Sequence, residues 1–172
     1  MEAAWQRARA SADGARPWAW ADTTPLARLT INGESLFVLE GLSQCEREAG
    51  PTHDMTSVMP GETGNSVIEA HHAGQLKVVR KVRMGDRIRV ERADGASAEF
   101  IVTNRRVLDT RRQSVTPQAQ TARLTLVTGY PFDAIEPGGP LRFVVTADFI
   151  AGAGNSSPPQ VAQAAPPPTR MH

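Results

Sequence analysis

Two dipeptides constrain this chain most: Asn32-Gly33 and Asp94-Gly95, each set between runs in which apolar and polar residues alternate. Asn-Gly and Asp-Gly reach the positive backbone angles that a tight reversal needs, so each pair reads as the tip of a β-hairpin. The first joins Leu26–Ile31 to Leu36–Leu39; the second joins Arg87–Arg92, with Ile88 and Val90 on one face, to Ala98–Thr103. Further period-two segments occur at Ser66–His71, Leu124–Thr128 and Leu141–Ala147. About eight strands with hardly a helix imply an all-β protein closed into a barrel, with short helices confined to loops.

The remaining segments set the boundaries. Residues 1–24 read as an N-terminal arm: an alanine-rich helix over 2–10, then Gly14, Pro17 and Pro25 as breakers, with Trp5, Trp18 and Trp20 packing the arm against a barrel domain at 25–150. Residues 40–64 read as a long loop with a short helix around Ser43–Ala49, and such loops are often functional. Residues 151–172, rich in Ala and Pro, are too poor in large apolar groups to offset ordering entropy, so a disordered tail is expected. At 172 residues the chain is long enough for one core. Its formal net charge of +1 gives no reason to expect a nucleic-acid partner. Cys45 is the only cysteine, which excludes an intrachain disulfide and a cysteine-based zinc cluster. No cofactor is implied. No run approaches the roughly 20 apolar residues of a membrane span, so the chain as written is expected to be soluble.

Four ordered segments resemble the sortase family of cysteine transpeptidases, most closely the proteobacterial type called class GN, related to class D. They are Arg16–Thr23, Pro60–Ile68, Thr125–Asp133 and Gly138–Ala147. The resemblance implies a sortase-type β-barrel acting on the C-terminal sorting signal of a partner surface protein. It also implies residence on the periplasmic face of a bacterial inner membrane, through an anchor absent from this chain.

In that family the residue after the Thr-Leu-x-Thr strand is the nucleophilic cysteine, and here it is Gly129. Glycine has no sulfur and no titratable group, so covalent catalysis from position 129 is excluded and the copy is expected to be inactive. The family's histidine falls on His71, a general acid and base for the leaving and incoming amines. Its arginine falls on Arg142, which would bind the carbonyl oxygen as negative charge develops there. The resemblance further implies that Thr128 and Tyr130, flanking position 129, and His53 contact the peptide. One element follows without the family: Gly129 ends a strand and Arg142 begins the next, so a hairpin closed by residues 130–140 sets the two side by side.

The departures cluster near the same place. Arg47-Glu48-Ala49 replaces an apolar stretch ahead of Gly50-Pro51-Thr52-His53, Ala70 replaces the glycine before the histidine, and His72 and Ala73 replace the arginine and aspartate that follow it. A metal site built from His71, His72, His53, Asp54 and Cys45 is disfavoured, because adjacent strand residues point to opposite faces. Cys45 reads as incidental rather than as a substitute thiol. Arg142 has an alternative reading as a strand-end cation paired with Asp133 or Glu136, and Arg105, Arg106, Arg111 and Arg112 read as a solvated basic cluster. Two functional readings stay open beside the inactive transpeptidase: a pseudo-sortase that binds a sorting peptide without cleaving it, and a purely structural barrel.

Overall fold

The computed structural model describes residues 2–10, 25–40, 47, 49–70, 75, 77–116, 118–133 and 139–153. Eight strands close into a barrel: β1 (Pro25–Ile31), β2 (Glu34–Leu39), β3 (Thr52–His53), β4 (Gly64–Ala70), β5 (Arg87–Arg92), β6 (Ser97–Asp109), β7 (Ala122–Gly129) and β8 (Leu141–Ala153), in the order β1-β2-β3-β4-β7-β8-β6-β5. Both hairpin signals are realised. Asn32 and Gly33 take φ of 50° and 80°, the left-handed angles that match the twist of β1 and β2. At the second turn the Asp94 carboxylate accepts from the Ala96 amide at 3.0 Å, and Gly95 takes φ of 92°.

Alternation fills the barrel. Ala27, Leu29 and Ile31 of β1, Ile88 and Val90 of β5, Phe100 and Val102 of β6, Leu124 and Leu126 of β7, and Phe143 and Val145 of β8 share one buried cluster with Ile68 and Ala70 of β4. The second cluster is smaller and lies on the outer face: Val67, Leu108, Val127 and Val144, with Val115 from the β6–β7 connection packed against it. Leu108 reaches that face because the β6–β8 register shifts between Val102 and Asn104. A one-residue slip turns the later side chains to the other side, so Leu108, even-numbered like the inward Phe100 and Val102, packs with Val144 instead.

Helix α1 (Glu2–Ala10) forms as the alanine-rich arm implies, and Trp5 is fully buried, its ring 5.8 Å from that of Phe37. Arg28 lies over the Trp5 ring at 5.7 Å while donating to Glu91 at 2.7 and 2.9 Å, which fixes the arm to β1 and β5. Trp18 and Trp20 lie outside the described residues. Of the helix expected around Ser43–Ala49, only Arg47 and Ala49 are described, and both are helical. Strand β8 runs to Ala153, three residues past the expected barrel boundary; residues 154–172 lie outside the described set. A second short helix, α2 (Lys77–Lys81), carries the buried Val78 and Val79 into the core, and the alternation pattern gives no sign of it. No helix among the described residues is long and apolar enough to cross a membrane.

Candidate active site

The pairing of three strand ends builds the site. Antiparallel β7 and β8 place Gly129 directly opposite Arg142, as the hairpin argument requires, and the Tyr130 amide donates to the Leu141 carbonyl at 3.1 Å to close the ladder. Parallel β4 and β7 place Ala70 opposite Thr128. Strand alternation assigns faces: Leu124 and Leu126 belong to the inner cluster and Val127 to the outer one, so Gly129 shares the outer face with Val127. By the same reasoning Arg142 shares that face with Val144, and Glu69 shares it with Val67.

Gly129 is half-buried, and its φ lies outside the left-handed range that demands glycine. A Cβ built on it meets no atom of the described residues within 4 Å. Neither the backbone angle nor the described packing at the Cβ position therefore requires a glycine here.

Arg142 is half-buried and folds back on its own turn, donating from Nη1 to the Gly139 carbonyl at 2.5 Å and the Leu141 carbonyl at 2.9 Å. Asp133, one of the acids considered for it, instead accepts from Arg80 at 3.0 Å; Glu136 lies outside the described residues. Main-chain carbonyls are acceptors an incoming oxyanion can outcompete, so the guanidinium is held near position 129 with no ion pair to break among the described residues. His71 and His72, like Cys45, lie outside the described residues. Ala70, immediately before His71 in the chain, is the last residue of β4.

The other expected contacts are placed differently from one another. Thr128 is fully buried on the inner face, and its Oγ1 has no hydrogen-bond partner among the described residues. Tyr130 stacks on Phe143 with centroids 6.5 Å apart and meets Phe132 edge-on at 5.6 Å, in an aromatic group that Arg105 and Arg80 overlie. His53 is 3% exposed and pairs with Ile68, which pairs with Leu126. That level lies three residues below Gly129, about 10 Å along the strands. Its Nε2 lies 2.9 Å from the Val58 carbonyl and 3.2 Å from Ser57 Oγ, which donates to Asp54 O. A carbonyl only accepts, so Nε2 carries the proton; Nδ1 is buried without a partner among the described residues. Burial lowers the His53 pKa, the Val58 bond opposing this only in part, so the ring is neutral and holds the loop after β3.

Asn65 was not singled out by its sequence context. It is buried on β4, accepts from Thr125 Oγ1 at 2.8 Å and donates to the Thr116 carbonyl at 2.8 Å. These bonds pin the β6–β7 connection over Val67, Val127 and Val144, leaving Glu69, Gly129 and Arg142 along the open margin. Among the basic cluster, Arg111 is held by Asp109 through two bonds of 2.8 and 3.1 Å to its carboxylate. A separate cleft of about 720 Å³, lined by Glu62, Arg92, Asp94, Phe149 and Gly152, lies toward the far end of β8. There Arg92 bridges Glu62 and Asp94, away from Gly129.

Comparison with known proteins agrees with the barrel fold. A family model described as Sortase domain matches residues 30–150. Sortase D of Bacillus subtilis is 28% identical over 115 residues, covering 67% of this chain and 57% of that protein, so the match spans little more than half the relative's length. The fold is similar to that of a Clostridium perfringens Sortase D5 transpeptidase, with TM-score 0.63 and 22% identity over 74% of this chain and 80% of that one. It is also similar to Listeria monocytogenes sortase A, with TM-score 0.65 and 22% identity over 77% and 92%.

Proposed function

The chain belongs to the sortase family of transpeptidases, and from that premise we propose that its outer margin binds the C-terminal sorting signal of a surface protein but does not cleave it. The observation that carries the proposal is the cross-strand pair Gly129–Arg142, with open space where a side chain at 129 would stand. In a member with cysteine there, the thiolate attacks the scissile carbonyl carbon. A C–S bond forms, the C–N bond breaks, and the departing amine takes a proton from the histidine. An incoming amine then gives up its proton and displaces the thiolate. On this reading Arg142 is the oxyanion donor and His71, one residue beyond Ala70, the acid and base.

Gly129 removes the attacking atom while Arg142 keeps its place beside it, which favours a pseudo-sortase that holds a peptide over an enzyme that turns it over. The half-buried Arg142, engaged only by carbonyls among its described partners, supports peptide binding over a purely structural barrel. Its place of work, on family likeness, is the extracytoplasmic face of a bacterial inner membrane, within a class GN-like lineage. Titrating the unaltered protein with the sorting-signal peptide of a candidate partner tests this. Saturable binding, weakened by Arg142→Ala, is expected with no peptide consumed; peptide turnover, or no binding at all, overturns it.

A further inference from the structure

The margin beside Gly129 carries a carboxyl group that the transpeptidase chemistry does not use. Glu69 lies opposite Val127 in the parallel β4–β7 pair and opposite Thr52 of β3. It occupies the outer face with Val67, one strand across and two residues short of Gly129. With strands about 4.8 Å apart and a rise of about 3.3 Å per residue, its Cα lies about 8 Å from that of Gly129. The side chain is half-buried, yet among the described residues no hydrogen bond or ion pair engages it. Other acids of the barrel differ: Glu91 is held by Arg28 and Arg89, Asp133 by Arg80, and Asp148 by Arg123.

A half-buried carboxylate with no partner among the described residues has its acceptor oxygens free for a cation placed against it. Arg142 stands across Gly129 on β8, so position 129 is flanked by a negative group on the β4 side and a positive one on the β8 side. A peptide carbonyl drawn to Arg142 brings its neighbouring atoms toward Glu69.

We propose that Glu69 forms a cation subsite beside position 129 that receives a primary ammonium group, from a basic side chain of the bound peptide or from a free amine. The subsite rests on the peptide-binding reading above. Two probe sets separate the sources: hexapeptides in which one lysine or one norleucine is stepped through all six positions, and n-butylammonium against n-butanol. Binding is read from backbone amide shifts of isotopically labelled full-length chain, unaltered and as Glu69→Gln and Glu69→Asp.

A cationic probe is expected to shift the amides of Glu69, Val127 and Gly129, to bind about three- to tenfold more weakly to Glu69→Gln, and to recover in Glu69→Asp, while its neutral counterpart is unaffected. Dependence in the peptide set assigns the subsite to a substrate side chain, and dependence in the amine set to an acceptor. If hexapeptides bind at Gly129 but lysine and norleucine forms are equal and Glu69→Gln changes neither set, the subsite is refuted and the peptide groove stands. If neither set binds, both readings fall together.

Discussion

Replacing Gly129 by cysteine tests the site's geometry and its chemistry separately. In the folded state the new Cβ meets none of the described residues within 4 Å, and the backbone φ is one that any residue adopts. No clash term enters, and the gain from packing is small. What remains is the unfolded chain, whose freedom falls when glycine is replaced; at a compatible position this stabilises by about 0.4–1 kcal/mol. For a domain of this size that corresponds to a rise in Tm of about 1–4 °C. Thermal melts of the parent, Gly129→Ala and Gly129→Cys, all in a Cys45→Ser background, measure it, with both variants expected to rise together. Intact mass after incubation with a sorting peptide then separates them. Only Gly129→Cys is expected to gain the mass of an acyl group, because only it has the thiol. A fall in Tm of more than about 3 °C in both variants would refute the open space at 129. Equal adducts on the alanine and cysteine forms would refute the chemistry.

In the Gly129→Cys protein, Arg142→Ala is expected to slow acylation by about 10²–10³-fold, the usual cost of losing one oxyanion donor, with little change in Tm; stopped-time mass spectrometry measures the rate. His53, buried and neutral, has a folded pKa below its unfolded value of 6.5. The unfolded state therefore binds more protons in acid, and this contribution to stability is complete above pH 6.5 and lost as pH falls toward the folded pKa. Melts from pH 7.5 to 5 should show a shallower acid loss in His53→Gln than in the parent, and parallel curves would exclude the assignment. Asn65→Ala leaves Thr125 Oγ1 and the Thr116 carbonyl without their partner and is expected to cost about 1–3 kcal/mol in urea unfolding. Faster amide exchange across residues 110–121 should accompany it.

Much of the fold was legible because it is local. Asn32-Gly33 and Asp94-Gly95 specify their turns within a few residues, and alternation along β1, β5 and β7 specifies which side chains go inward. The neighbourhood of Gly129 and Arg142 followed from the same logic, since one short connection joins their strands. Strand β3 has only two residues, too few for a period to show, and α2 has only five.

Sequence by itself determined the all-β class, the hairpins, and the chemical fact that position 129 carries no nucleophile. Those depend on bonded neighbours and on the atoms of one residue. Tertiary structure alone decided that β4 runs parallel to β7 and brings Ala70 level with Thr128, across a gap of 58 residues that no periodicity spans. It alone decided that the shift near Val102 turns Leu108 outward, that His53 and Thr128 are buried while Glu69 stands partly open beside Gly129, and that a side chain at 129 would meet empty space. Burial and register are set by what the rest of the chain places alongside a residue, and the residue's own neighbours in sequence do not contain that information.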